Sequence, residues 1–139
     1  MSATKKGRIV VIDDNDAVLA SISTVLTGAG YDVVATTKTV GTARHLKDAQ
    51  LVIIDYHMPG LDGRDVLKSL RAAAASAQAN PAFYLYTSDA QMEQQAASLG
   101  FDGAFANKGD RDSLLQQVDA AMRLVRLRAL GGQRRGLMS

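Results

Sequence analysis

The sequence predicts an alternating α/β fold, a parallel sheet with helices on both faces. Two observations predict it. Arg8-Ile9-Val10-Val11-Ile12 and Leu51-Val52-Ile53-Ile54 are β-branched apolar runs without polar alternation, as expected of strands buried on both sides of a sheet. Strand-like and helix-like segments then alternate five times along the chain, which implies right-handed crossovers between parallel strands. A third observation concerns function. Several of these strands end in acids, hydroxyls or a lysine, and the carboxyl ends of strands in an open sheet form the rim that holds ligands.

In chain order, the first strand is Arg8 to Ile12, ending at Asp13-Asp14. Asn15 or Asp16 caps the first helix, since either side chain can accept an early backbone N–H. Val18, Ile22, Val25, Leu26 and Ala29 recur at helical spacing, and Gly28 and Gly30 end the helix. "YDVVA", Tyr31 to Ala35, is the second strand. Val40 to Lys47 is a short helix with Ala43 and Leu46 as its apolar contacts. The third strand, Leu51 to Ile54, ends at Asp55 and turns through Met58-Pro59-Gly60. The third helix starts at Gly63 or Arg64 and buries Val66, Leu67 and Leu70. Its alanine-rich continuation favours helix but has little to bury, so it is expected to fray toward Asn80-Pro81. Ala82 to Tyr86 is the fourth strand, ending at Thr87-Ser88. Ala90 to Leu99 is a helix closed by Gly100. Gly103 to Ala106 is the fifth strand, ending at Asn107-Lys108-Gly109. The last helix runs from Arg111 to about Leu130 on a core face of Leu114, Val118, Ala121, Met122 and Val125. "GGQRRGLMS" has the composition of a flexible tail.

Composition narrows the function classes. The chain has 139 residues, 47% apolar and 22% charged, one domain's worth of ordinary globular composition. No apolar run has the length of a membrane span, and "MSATKKGR" lacks a signal-peptide core. Cysteine is absent, so disulfides, thiolate zinc sites and a cysteine nucleophile are excluded. These features favour a cytoplasmic protein. A net charge of +2 is too small to argue for nucleic acid. Two histidines make a poor zinc set, and His45 reads as an exposed helix residue.

The strand ends carry the chemistry. Asp13 and Asp14 follow strand one, Asp55 strand three, Thr87 and Ser88 strand four, and Lys108 strand five. Three carboxylates on one edge repel one another unless a divalent cation lies among them, and hard oxygen ligands select magnesium, calcium or manganese. A lysine and a threonine hydroxyl suit the oxygens of a phosphoryl group. An aspartate can itself be the nucleophile in phosphoryl transfer. Together they describe a phospho-aspartate site.

From Arg8 to about Leu130 the chain resembles the receiver domain of two-component response regulators. The matching residues are Asp13-Asp14, "DYHMPGLDG" from Asp55, Thr87-Ser88 and Lys108. The resemblance implies a flavodoxin-like sheet of five strands in the order 2-1-3-4-5. Residues 1–7 are then a polar lead-in, 8–130 the receiver domain and 131–139 the tail. It implies that Asp55 accepts phosphate from a histidine kinase or a histidine phosphotransfer protein. By the same carry-over Asp14, Asp55 and the backbone carbonyl of His57 bind Mg2+, Asp13 acts through a metal-bound water, and Lys108 and Thr87 contact the phosphoryl oxygens. Phe105 stands where the family has an aromatic that turns inward after phosphorylation. The expected function is a stand-alone, chemotaxis-regulator-like switch whose catalysis is limited to its own phosphorylation and dephosphorylation. The face of the fourth helix, fifth strand and last helix, with Met92, Gln95, Phe105 and Gln116, would engage a downstream protein.

Two positions depart from the family pattern. Gly109 replaces the usual proline after the lysine, often preceded there by a cis bond. A cis bond before a non-proline residue costs roughly 3–4 kcal/mol, so Lys108–Gly109 is expected to be trans, in a looser loop. His57 occupies a variable position, where its side chain is expected to affect access of water to the acyl phosphate. Other readings stand beside the switch: a phosphorelay intermediate, a pseudo-receiver that binds without phosphorylation, and a metal-dependent phosphatase or nucleotide enzyme. "DDNDA" in place of a Gly-rich loop after strand one argues against a nucleotide site. Six arginines from Arg111 onward face two acids. They read as a solvated basic end, or as a docking surface for an acidic partner or a weak nucleic-acid contact. No recognition helix is read after the last unit, which argues against sequence-specific DNA binding.

Overall fold

In the computed structural model, residues 6–37, 43–55, 63–106 and 108–138 are described. The elements are β1 (Arg8–Ile12), α1 (Asp16–Gly28), β2 (Asp32–Thr36), α2 (Ala43–Leu46), β3 (Ala49–Ile54), α3 (Gly63–Ser76), β4 (Ala82–Tyr86), α4 (Ala90–Leu99), β5 (Gly103–Phe105) and α5 (Arg111–Met138). All four strand pairings are parallel, and the order is β2-β1-β3-β4-β5. This is the flavodoxin-like topology expected from the sequence.

The two apolar runs divide one sheet between two cores. Successive strand residues point to opposite faces. Ile9, Val11, Leu51 and Ile53 therefore pack with Leu19, Ile22 and Leu26 of α1 and with Leu114, Val118, Ala121 and Met122 of α5. Val10, Ile12, Val52 and Ile54 pack with Leu46 of α2, Val66, Leu67 and Leu70 of α3, and Ala96 of α4. Burial on both faces is why the runs lack alternation.

Local chemistry sets the element ends. The Asn15 side chain accepts the N–H groups of Ala17 and Val18 and caps α1. Asp89 does the same for α4, which Gly100 closes in the left-handed region at φ 102°. Some expectations shift. The expected face of α1 packs on the first core, with Ile22 and Leu26 buried and Val18, Val25 and Ala29 at its margin, and Leu19 joins it as a further buried residue. β2 begins at Asp32, one residue after Tyr31, and β5 ends at Phe105. The alanine-rich part of α3 stays helical to Ser76 because Ala74 is buried against the second core. The last helix continues to Met138, where the sequence reading ends it near Leu130 and expects a flexible tail. Helix glycines cost only about 1 kcal/mol each relative to alanine, and arginine, glutamine and leucine between them favour helix. Val40 to Thr42, His57 and the Met58-Pro59-Gly60 turn lie outside the described residues. No helix among the described residues is long and apolar enough to cross a membrane.

Candidate phosphoacceptor site

The site lies at the carboxyl edge of the sheet. Ile12 and Ile54 are register partners of β1 and β3, so the residues that follow them, Asp13 and Asp55, are neighbours. Hydrogen bonds that continue the ladder fix both. The Asp55 N–H donates to the Ile12 carbonyl at 2.9 Å, and the Asp13 N–H donates to the Thr36 carbonyl at 3.3 Å. By the alternation of the strands, both side chains lie on the face that α1 and α5 cover.

Asp13 is 2% exposed and Asp55 6%, burial that an unpartnered carboxylate would not tolerate. Lys108, from the loop between β5 and α5, supplies the opposite charge. Its Nζ lies 3.4 Å from Asp13 Oδ2 and 3.4 Å from Asp55 Oδ1. The Asn15 N–H donates to Asp13 Oδ1 at 2.9 Å. Burial pushes the Asp13 carboxyl above its usual range. The Asp55 charge adds to the rise, while the Asn15 N–H and Lys108 oppose it.

Asp14 is exposed beside them. One carboxylate oxygen from each of Asp13, Asp14 and Asp55 lies within 4.8 Å of the others. Such a set of hard oxygen donors, two buried and one open to water, fits Mg2+, which binds one or two carboxylates and keeps several waters. His57, whose carbonyl the resemblance adds as a ligand, lies outside the described residues.

Thr87 follows β4 directly and is 2% exposed. Its hydroxyl oxygen accepts the Asp89 N–H at 3.1 Å, and its own hydrogen can still donate. Phe105 is buried. Its ring stacks on Tyr84, with centroids 4.7 Å apart, and meets Tyr86 edge-on at 6.5 Å. It therefore packs inward and adds little to the outer surface. Ser88 is exposed, as are Gln95 and Gln116, while Met92 is partly buried. No cis peptide bond occurs among the described residues, and Gly109 has φ 101°. At that angle glycine is favoured over residues with a Cβ.

The sequence reading missed Tyr86 and Asp89. Asp89 carries a sequence signal, an acid immediately before a helical segment. Tyr86 carries a weaker one. A tyrosine ending a buried strand must find a partner for its hydroxyl, and here the Gly109 N–H donates to it at 3.0 Å.

The model of the response regulator receiver domain family matches residues 9–119. The transcriptional regulatory protein FixJ of Bradyrhizobium diazoefficiens is 30% identical over 129 residues, covering 86% of this chain and 58% of that protein. The sensory/regulatory protein RpfC of Xanthomonas campestris is 38% identical over 71 residues, covering 50% of this chain and 10% of that protein. The chain thus spans only part of the length of these relatives. The structure of the chemotaxis response regulator CheY4 of Vibrio cholerae superposes with a TM-score of 0.68 at 19% identity, covering 85% of this chain and 99% of that one. At that identity the likeness is one of fold.

Proposed function

Because the chain belongs to the response regulator receiver domain family, we propose that it is a phosphorylation switch whose phosphoacceptor is Asp55. The observation that carries this reading is the Lys108 ammonium held 3.4 Å from both Asp13 and Asp55 on a three-carboxylate edge. A solvated loop lysine would not be drawn in among buried acids.

The donor is a phosphohistidine on a histidine kinase or histidine phosphotransfer protein. A carboxylate oxygen of Asp55 attacks the phosphorus. The new O–P bond forms as the N–P bond breaks, and the departing imidazole keeps the electron pair and takes a proton. Asp13, Asp14 and Asp55 would hold Mg2+, which supplies charge neutralisation for the phosphoryl oxygens. Lys108 shifts its contact from the Asp55 carboxylate to a phosphoryl oxygen, and the buried Thr87 hydroxyl donates to another. Hydrolysis of the acyl phosphate resets the switch. The chain is thus phosphoacceptor and catalyst of its own modification, without turnover of a separate substrate. The added charge biases the Thr87 turn and the Phe105 stack. A protein partner reads the change on the α4–β5–α5 face. Tyr84, Phe105, Gln117 and Leu124 line a groove of about 210 Å³ there.

The test is incubation of the full chain with acetyl phosphate and Mg2+, followed by intact-mass spectrometry. One added phosphoryl group is expected, absent without Mg2+ and absent in Asp55→Asn. A chain that gains none, or an Asp55→Asn variant that gains as much as wild type, would leave a binding module that is never phosphorylated at Asp55.

A further inference from the structure

The loop that carries Lys108 lacks the restraint a proline would give. Gly109 is the freest of residues, its φ is 101°, and nothing lies within 4 Å of where its Cβ would be. Yet Lys108 is held between two buried carboxylates. Something outside the loop must fix the backbone.

Tyr86 meets that need with two contacts on successive residues. Its hydroxyl accepts the Gly109 N–H at 3.0 Å, a donor that proline would lack. Its ring lies under the Lys108 ammonium, with Nζ 5.6 Å from the centroid, within range of a cation–π attraction. Tyr86 can act as an anchor because it is itself fixed. It is the last residue of β4, 3% exposed, and packed edge-on against Phe105.

We infer that Tyr86 is a positioning residue for Lys108: its hydroxyl and ring together replace the proline restraint and hold the ammonium over Asp13 and Asp55. The geometry stands by itself, while its consequence for phosphorylation rests on the phosphoacceptor reading of Asp55. Tyr86 also joins the site to the switch. The same ring lies near the Lys108 ammonium and packs edge-on against Phe105, so a displacement of Lys108 toward a phosphoryl group alters a contact of the ring that Phe105 packs on.

Tyr86→Phe tests the inference, since it keeps the ring and deletes only the oxygen. Amide hydrogen exchange at Gly109, followed by NMR on the unphosphorylated full chain, is expected to speed up about five-fold, the worth of one ordinary hydrogen bond. With acetyl phosphate and Mg2+, the maximal phosphorylation rate should fall by a similar factor, with the donor concentration at half-maximal rate unchanged. In a Lys108→Ala background, Tyr86→Phe should lower that rate no further. Unchanged Gly109 exchange would overturn the inference. So would an equal loss of rate with and without Lys108, which would mark Tyr86 as a packing residue only. Should the wild type take no phosphate, the phosphoacceptor reading fails, while the exchange measurement still decides the role of Tyr86.

Discussion

Single side chains in this chain are held by partners remote in sequence. Tyr31 is the clearest case beyond the site. It is buried, its hydroxyl donates to the Asp119 carboxylate, and the Lys6 ammonium lies 5.4 Å from its ring centroid. Burial, followed by the Asp119 hydrogen bond and charge, pushes the Tyr31 pKa from 10.0 to about 12. The folded state thus keeps this proton more tightly than the unfolded chain. The stabilisation is fully present below about pH 10 and is lost as pH rises through about 12. Two pH units correspond to roughly 2–3 kcal/mol. Tyr31→Phe should cost about 1 kcal/mol at neutral pH and flatten the loss of stability between about pH 10 and 12. Urea unfolding at several alkaline pH values would show it, and a variant as alkali-sensitive as wild type would refute it. Neither this pair nor Tyr86 with Gly109 was legible in the sequence. Their partners stand 88 and 23 residues apart, and only the fold brings them together. The chemistry of Asp13, Asp14, Asp55, Thr87 and Lys108 was legible because each stands just past a strand or in the loop it leads into.

Elements whose apolar pattern was continuous were read closely, and those shaped by neighbours were not. β1, β4 and α4 have the expected bounds, since caps, glycines and β-branched runs are local signals. The buried face of α1 is wider than its spacing alone indicates, with Leu19 inside beside Ile22 and Leu26, because where apolar residues stand at both Val18 and Leu19 the packing partners decide which is covered more fully. The edge strand β5 also carries a packing requirement set by its neighbour. A Cβ on Gly103 would stand 2.6 Å from a Tyr84 ring carbon, and that ring stacks on Phe105. The glycine makes room for the aromatic stack across β4 and β5. Gly103→Ala should therefore force the Tyr84 ring aside and destabilise the fold by about 1–3 kcal/mol. Because Tyr84 is partly exposed, Tyr84→Ala in the same chain should recover part of the loss. A double-mutant cycle by urea denaturation reads the coupling, and strictly additive effects would show that the stack does not require the glycine.

At the scale of the whole molecule, the sheet gathers like charges on one edge. Parallel pairing places Asp13 beside Asp55, both buried, with Asp14 close by and one ammonium between the buried two. The hydrophobic layers on either side of β1 and β3 oppose that repulsion. Without a cation, the fold should therefore be less stable than the same fold with one acid fewer. At close range in a partly polar surrounding, a like-charge pair costs up to about 4 kcal/mol, and Lys108 offsets part of it. Asp13→Asn keeps the side-chain shape and an oxygen for the Asn15 N–H. In the presence of a chelator it should raise the unfolding free energy by about 1 kcal/mol, once the lost contact with Lys108 is set against the removed repulsion and desolvation. Mg2+ should reverse the order. A site filled at a hundred times its dissociation constant adds about 2.7 kcal/mol to wild type, and the variant, short of one acid, should gain less. Urea midpoints with chelator and with Mg2+ measure both differences. A variant weaker than wild type in chelator would show that Asp13 serves stability more than the metal. An equal gain from Mg2+ in the two chains would remove Asp13 from the cation's surroundings.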